Sequence, residues 1–398
     1  MDETVFHHHM MKPTIKTLWD LSLSLHRARR GPVKPISQFD PRNTRRILVV
    51  SCTAIGDTLL STPSLRTTRL LFPEAHISWL LRDRYAEFFA SNPDADEVIL
   101  YRGAYRKVFR LVRQLKKRRY DLCLVFHDSD PCPVQAAFLA GVPFIMRSGF
   151  KDEIVVQYLS FRVPYRDEAH IIEQRMDVLR SLLKLPLNSP GDTRVTFPLH
   201  PELVDRQWRK FAQDYGVHPR DELMIGFQIS AARSYKAWPA RNFAALATRI
   251  LESYPQSRIF LFGGPRDGKL ARQIREKLCL DHRVISLAGS LRLAELPSAL
   301  KGLDLLVTND TGPFHLAIAL RIPTISLFVP STVRHTGPYQ DPELHIVVRK
   351  PRPCSPCLQK YCPEPFCMQS IDVAEVFNHL QAQLATHVHK NAAHTYTA

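Results

Sequence analysis

The sequence predicts an α/β chain made of two doubly wound, parallel-sheet domains. Three observations carry this. Short continuous apolar runs alternate with longer amphipathic ones. The alternation begins at Ile47, weakens after Gly149 and restarts at Leu223. Small, polar, glycine-containing segments follow several of the apolar runs directly. Continuous apolar runs suit strands covered on both faces, and the amphipathic stretches between them suit crossover helices.

Taken in order, residues 1–44 read as a basic N-terminal arm. Trp19, Leu21, Leu23 and Leu25 punctuate an apolar stretch that leads into Arg27, Arg29, Arg30, Lys34 and Arg42, and Pro32, Pro35 and Pro41 interrupt it. A disordered or loosely packed extension is the simpler reading; a segment lying on anionic lipid is the sharper one. Residues 45–190 form the first Rossmann-like domain, with strands over Ile47–Val50, Ile77–Leu81, Val98–Leu100 and Leu122–Phe126. Helical stretches over Thr58–Leu71, Tyr85–Ser91 and Tyr105–Arg118 separate them. After a weakly patterned stretch, residues 191–338 form the second, with strands over Leu223–Ile229, Ile259–Gly263, Val284–Leu287, Leu305–Thr308 and Thr324–Phe328. Residues 339–398 hold a cysteine-rich loop and a helical pattern from Val373 to Leu384.

Composition bounds the function. The 398 residues include 54 Lys and Arg against 38 Asp and Glu, a net charge of +16, which attracts polyanions of any kind. The basic residues gather in the arm and between Arg102 and Arg119, where no acidic residue interrupts them. No apolar run is long enough for a membrane span, and no signal-peptide pattern opens the chain, so a cytoplasmic location is expected. Nucleic-acid binding is the alternative that the charge raises, but no helix-turn-helix, RRM or zinc-finger signature accompanies it.

Open α/β sheets bind ligands beyond the carboxyl ends of their strands, and four segments stand there. Ala54-Ile55-Gly56-Asp57-Thr58 follows the first strand; Asp57 either caps the next helix or serves as a general base. Ser230 to Pro239 follows the Leu223 strand, and its Lys236 suits an anion, although a solvated lysine is the ordinary alternative. Phe262-Gly263-Gly264-Pro265-Arg266-Asp267 lets a ligand approach the backbone closely, or makes a simple tight turn. Thr308-Asn309-Asp310-Thr311-Gly312-Pro313-Phe314-His315 ends a strand and opens a helix at Pro313, a place where backbone N–H groups meet a phosphate. Its plainer reading has Asp310 or Thr311 capping the helix and His315 buried.

Together these segments resemble glycosyltransferase family 9, the ADP-heptose:lipopolysaccharide heptosyltransferases. The resemblance runs from about Arg46 to Leu380 and is most specific over Ala54–Pro63, Lys236–Pro239 and Asn309–Leu320. It implies a GT-B fold, two Rossmann-like domains facing across a cleft, and an inverting transfer that needs no metal. It implies that Asp57 deprotonates the acceptor hydroxyl, with Thr58 beside it, and that Lys236 holds the donor diphosphate. Asp310 would grip the donor sugar, Thr311 and Gly312 would meet the phosphates, and His315 would lie close. Asp267 and Leu291 fall where ribose and adenine are contacted. The implied partners are ADP-heptose, or a related nucleotide sugar, and a phosphorylated glycolipid at the inner face of the cytoplasmic membrane. Ala231 and Ala232 replace hydroxyl residues common in the family, so Ser230 or Ser234 is expected to serve the donor. Ser51 stands where many relatives have a basic residue.

Two features lie outside that pattern. Cys354, Cys357, Cys362 and Cys367, spaced C-x2-C-x4-C-x4-C, form either a structural zinc or iron–sulfur site or a set of reduced thiols. Cys52, Cys123 and Cys279 are expected in the core. The basic helix is expected to turn Val108, Leu111, Val112 and Leu115 inward. Arg106, Arg110, Arg113 and Lys117 would then face acceptor phosphates or an anionic membrane surface.

Overall fold

A computed structural model describes residues 13–391 apart from 104–106, 129, 149–152, 200, 219–220, 330–331, 352–353 and 355–361. The chain divides into two compact units, Met1–Pro198 and Leu199–Ala398.

In the first unit, helix α1 (Pro13–Arg30) precedes strand β1 (Arg46–Ser51). Then come α2 (Ile55–Leu59), α3 (Thr62–Leu71), β2 (His76–Arg82), α4 (Asp83–Phe89), β3 (Glu97–Tyr101), α5 (Val108–Arg118), β4 (Leu122–His127), α6 (Cys132–Leu139), β5 (Phe144–Arg147), β6 (Phe161–Arg162) and α7 (Ile171–Leu182). All pairings are parallel, in the order β3-β2-β1-β4-β5-β6. Leu48, Val50, Leu80 and Val125 are buried with α6, whose residues are buried on every side.

The predicted helix over Thr58–Leu71 is two helices. Pro63 lacks an N–H and stands in the first turn of α3, where that loss is harmless. From Pro13 onward the N-terminal arm is not a loose extension. Its α1 is a helix with Trp19 and Leu23 buried, and the Trp19 indole N–H donates to Gln135 Oε1 at 2.8 Å on α6. The Trp-Leu-Leu-Leu run looks strand-like at every second residue, yet in a helix it splits between two faces.

The second unit opens with α8 (Pro201–Tyr215), followed by β7 (Leu223–Gln228), α9 (Ala240–Ser253), β8 (Ser257–Phe262), α10 (Gly268–Lys277), β9 (Val284–Ser286), α11 (Leu296–Lys301) and β10 (Leu305–Asn309). It continues through α12 (Gly312–Ala319), β11 (Thr324–Leu327), α13 (Val333–Thr336), β12 (His345–Val348), α14 (Phe366–Gln369) and α15 (Val373–Asn391). Its sheet is again wholly parallel, in the order β12-β11-β10-β7-β8-β9. Ile371, Val376, Phe377 and Leu380 bring the C-terminal helix into this core. Both sheets therefore have the Rossmann arrangement, with strand order reversing between β1 and β4 in one and between β7 and β10 in the other. Cys52 and Cys123 are buried, but Cys279 is exposed, at the end of α10.

Candidate active site

In each unit the chemistry-bearing residues gather where the strand order reverses. In the first unit, Asp57 stands in the first turn of α2, directly after β1. Asp57 Oδ2 accepts the Thr53 hydroxyl at 3.1 Å, and Thr53 Oγ1 lies 2.8 Å from His127 Nδ1 at the end of β4. The other ring nitrogen, His127 Nε2, is 3.7 Å from Asp57 Oδ1. Arg175 on α7 completes the set. Its guanidinium donates to the Asp57 carbonyl oxygen and, at 3.4 Å, to Asp57 Oδ1.

Arg175 is fully buried. Burial lowers its pKa to about 10 against the pull of Asp57, so it remains a cation at neutral pH. Burial also lowers the His127 pKa, with Asp57 opposing and Arg175 assisting, which favours a neutral imidazole. Asp57 thus has its backbone and its carboxylate both held in place, and its side chain retains 31% of its surface exposed. A carboxylate so fixed, and still accessible, can accept a proton from a hydroxyl placed against it.

Thr58 is turned away from such a role: it is buried, and its hydroxyl donates to the Ala54 carbonyl at 3.0 Å. Arg110 and Arg113 are exposed on α5, and the partners described for Asp57 come from Thr53, His127 and Arg175 instead. Arg106 lies outside the described residues.

In the second unit Lys236, Asp310 and His315 come together. Lys236 Nζ is 2.5 Å from Asp310 Oδ2, and His315 Nε2 is 3.9 Å from Asp310 Oδ1. Lysine and aspartate are thus each other's partner, which the sequence reading, with one on the diphosphate and the other on the sugar, did not anticipate. Asn309 holds the two loops in register. Its Oδ1 accepts the Trp238 backbone N–H at 3.0 Å, and its Nδ2 donates to the Gln228 carbonyl at 3.1 Å. Thr311 and Gly312 open α12 with Pro313 in its first turn, and the Thr311 hydroxyl makes no cap bond to the helix.

Ser230 and Asp267 are also joined. The Ser230 hydroxyl donates to Asp267 Oδ2 at 2.7 Å, and the same oxygen accepts the Gly264 N–H at 2.7 Å. Gly263 needs to be glycine because a Cβ would stand 2.8 Å from that of Asp267. The Gly289 N–H donates to the Gly263 carbonyl at 3.0 Å, which ties the following Ser290-Leu291 loop to the Gly-Gly turn. Leu291 lines a cavity of about 210 Å³ with Phe211 and Tyr215 of α8.

Sequence reasoning missed His127 and Arg175, and it quoted Asn309 and Trp238 within their motifs without giving them a role. Each acts through a partner distant in the chain, for which no local pattern exists. Cys357 lies outside the described residues. Cys354 is exposed, and the Cys362 thiol donates to the Glu364 carbonyl at 3.2 Å. Among the described residues no group of three or more His, Cys, Asp and Glu is placed to hold a metal ion, so the zinc or iron–sulfur expectation gains no support.

Comparison with known proteins gives a consistent result. Lipopolysaccharide heptosyltransferase 1 of Pseudomonas aeruginosa is 24% identical over 372 residues, covering 85% of this chain and 98% of that protein. A solved structure titled E. coli ADP-heptose lps heptosyltransferase II aligns with a TM-score of 0.69 at 21% identity, covering 86% of this chain and 99% of that one. A glycosyl transferase family 9 structure from Veillonella parvula aligns with a TM-score of 0.73 at 23% identity, covering 88% and 99%. These two structures share the GT-B class of fold with this chain. The profile of glycosyltransferase family 9 (heptosyltransferase) matches residues 108–367, and the chain, a glycosyltransferase, belongs to that family.

Proposed function

We propose that this enzyme transfers a heptose from ADP-heptose to a phosphorylated acceptor of the lipopolysaccharide-core type, by inverting displacement without a catalytic metal. The observation that carries the reading is that each unit holds a site of its own where its strand order reverses. One holds an anchored, accessible carboxylate, Asp57; the other holds a cation and a helix N-terminus, Lys236 and Thr311–Gly312. The names of the relatives supply the sugar, the nucleotide and the acceptor class.

In this mechanism Asp57 takes the proton of the acceptor hydroxyl as its oxygen attacks the anomeric carbon. The bond from that carbon to the diphosphate breaks, and its electron pair leaves with ADP. Negative charge grows on the diphosphate as this happens. Lys236 and the backbone N–H groups that open α12 meet that charge, already in place before the reaction starts. Asp310 accepts from the sugar hydroxyls, Ser230 and Asp267 hold the ribose side, and Leu291 packs near adenine. The acceptor is a membrane glycolipid, and the enzyme works peripherally at the cytoplasmic face of the inner membrane; among the described residues no helix is long and apolar enough to cross a bilayer.

Asp57→Asn tests the assignment. Turnover with ADP-heptose and a core acceptor should fall by at least about 10²-fold, the usual yield of a general base. ADP affinity should stay nearly unchanged, because Asp57 acts on the acceptor. A variant retaining most of its turnover would remove Asp57 from the role of base.

A further inference from the structure

Helix α1 has two apolar faces, and the fold uses one of them. Trp19 and Leu23 are buried, and His26 meets Phe138 of α6 edge-on. On the other side Leu18, Leu21 and Leu25 keep 56%, 52% and 47% of their surface exposed. Their spacing, i, i+3, i+7, draws one stripe along the helix.

The arginines at the end of α1 divide in the same way. Arg27 donates to Gln157 Oε1, and the Arg30 guanidinium lies along Gly141, so both turn toward the body of the unit. Arg29 is exposed and continues the leucine stripe at i+11. The one acidic residue of α1, Asp20, is paired with Lys16 at 2.7 Å on the opposite side. Next to this helix, Phe109 of α5 meets Trp19 with ring centroids 5.7 Å apart and stays 46% exposed. The rest of the outer side of α5 is Arg110, Arg113, Lys116 and Lys117, all exposed, with no acidic residue in the helix.

An exposed leucine stripe that runs into Arg29 and lies beside the cations of α5 selects its occupant by charge. A second copy of the chain would bring the same positive surface against it, and like charges repel. A bilayer with anionic headgroups offers an apolar interior under a negative surface, which matches both parts. We propose that α1 and α5 together form the surface on which this enzyme rests on an anionic membrane. Leu18, Leu21 and Leu25 enter the acyl boundary, and Arg29, Arg110 and Arg113 meet the lipid phosphates. The proposal deepens the reading of a membrane glycolipid acceptor and rests on it for its purpose, but lipid binding is measurable without any acceptor.

The test is co-sedimentation of the full chain with vesicles of equal parts phosphatidylglycerol and phosphatidylcholine, and with phosphatidylcholine alone. The protein should bind the anionic vesicles, and the triple variant Leu18→Ser, Leu21→Ser, Leu25→Ser should bind them about tenfold more weakly. Arg29→Gln with Arg113→Gln should weaken binding at low salt more than at high salt. All five side chains are exposed, so thermal unfolding should be unchanged in both variants. Transfer to a lipid-free acceptor fragment should persist in the leucine variant. Wild-type binding by the triple variant, or equal binding to neutral vesicles, would overturn the proposal. So would self-association of the wild type that the triple variant loses. Failure to transfer sugar to the lipid-free fragment, with vesicle binding intact, would count against the proposed reaction and leave this surface standing.

Discussion

Asp310→Asn is predicted to tighten ADP binding while slowing sugar transfer, whereas Lys236→Ala should weaken both. The opposite signs follow from the ion pair between them, 2.5 Å long, with 20% of the lysine and 6% of the aspartate side chain exposed. A donor diphosphate has to compete with Asp310 for the ammonium. Deleting the lysine loses a charge-assisted contact worth about 1.5–3 kcal/mol, roughly ten- to hundredfold in ADP affinity. It also leaves the Asp310 carboxylate enclosed, with His315 at 3.9 Å. Breaking such a pair from one side costs about 3–5 kcal/mol when it is fully buried, and less here because the lysine reaches water. Thermal stability should therefore fall as well. The asparagine keeps the shape and removes the competing charge. If the competition is worth about 1 kcal/mol, ADP binds roughly fivefold more tightly. Calorimetric titration of ADP into the three proteins at one ionic strength, with thermal unfolding in parallel, reads all of these. Should Asp310→Asn lose ADP affinity as Lys236→Ala does, the two side chains act as one structural unit and the competition argument fails.

Other perturbations address the remaining parts. Arg175→Met removes both of the arginine's bonds to Asp57; turnover should drop on the order of 10²-fold, the scale set by misplacement of a reacting group, while ADP affinity is unchanged. A matching loss of ADP affinity would mean that the variant has unfolded more than the acceptor side. Burial lowers the pKa of His345 to about 4, against Asp341 and Glu343, so the folded protein resists protonating it. Its contribution is complete above pH ~6.5 and is lost as pH falls toward ~4, by up to ~3 kcal/mol. Urea unfolding across that range should show the slope, and His345→Gln should flatten it. Trp19→Ala removes a buried indole and its bond to Gln135. Such a truncation costs about 3–5 kcal/mol, so α1 should loosen from α6 and become more sensitive to limited proteolysis while the sheets stay folded.

The strands were legible because they are buried on both faces and read as unbroken apolar runs, such as Ile47–Val50 and Leu305–Thr308. Glycine and proline marked the turns after them. The helices were less legible, for three different reasons. Helix α6 is apolar on all sides and has no stripe to find. Helix α7 buries Arg175, Asp177 and Arg180, charges that a hydrophobic pattern assigns to solvent; the fold tolerates the latter two because they pair with each other at 2.9 Å. Helix α1 carries two stripes and so shows no single one. In the site, Asp57, Lys236 and Asp310 stood out as polar residues after apolar runs. Nothing local could show that Arg175 pins Asp57 or that Lys236 and Asp310 find each other.

Trp238 links the segment ahead of α15 to donor handling. Its backbone N–H is fixed by Asn309, next to Asp310, and its indole N–H donates to the Ile371 carbonyl at 3.1 Å, just ahead of the last helix. Lys236 is two residues upstream. The loop that carries the lysine is therefore latched to a segment that follows both sheets in the chain, the last strand, β12, ending at Val348. A nascent chain can hold all the strands before Ile371 emerges, yet its donor loop then has only the Asn309 anchor of the two. Anchoring of the donor loop thus depends on a segment beyond the sheets, and a chain cut before Ile371 loses that anchor together with the core contacts of α15 and should hold ADP poorly.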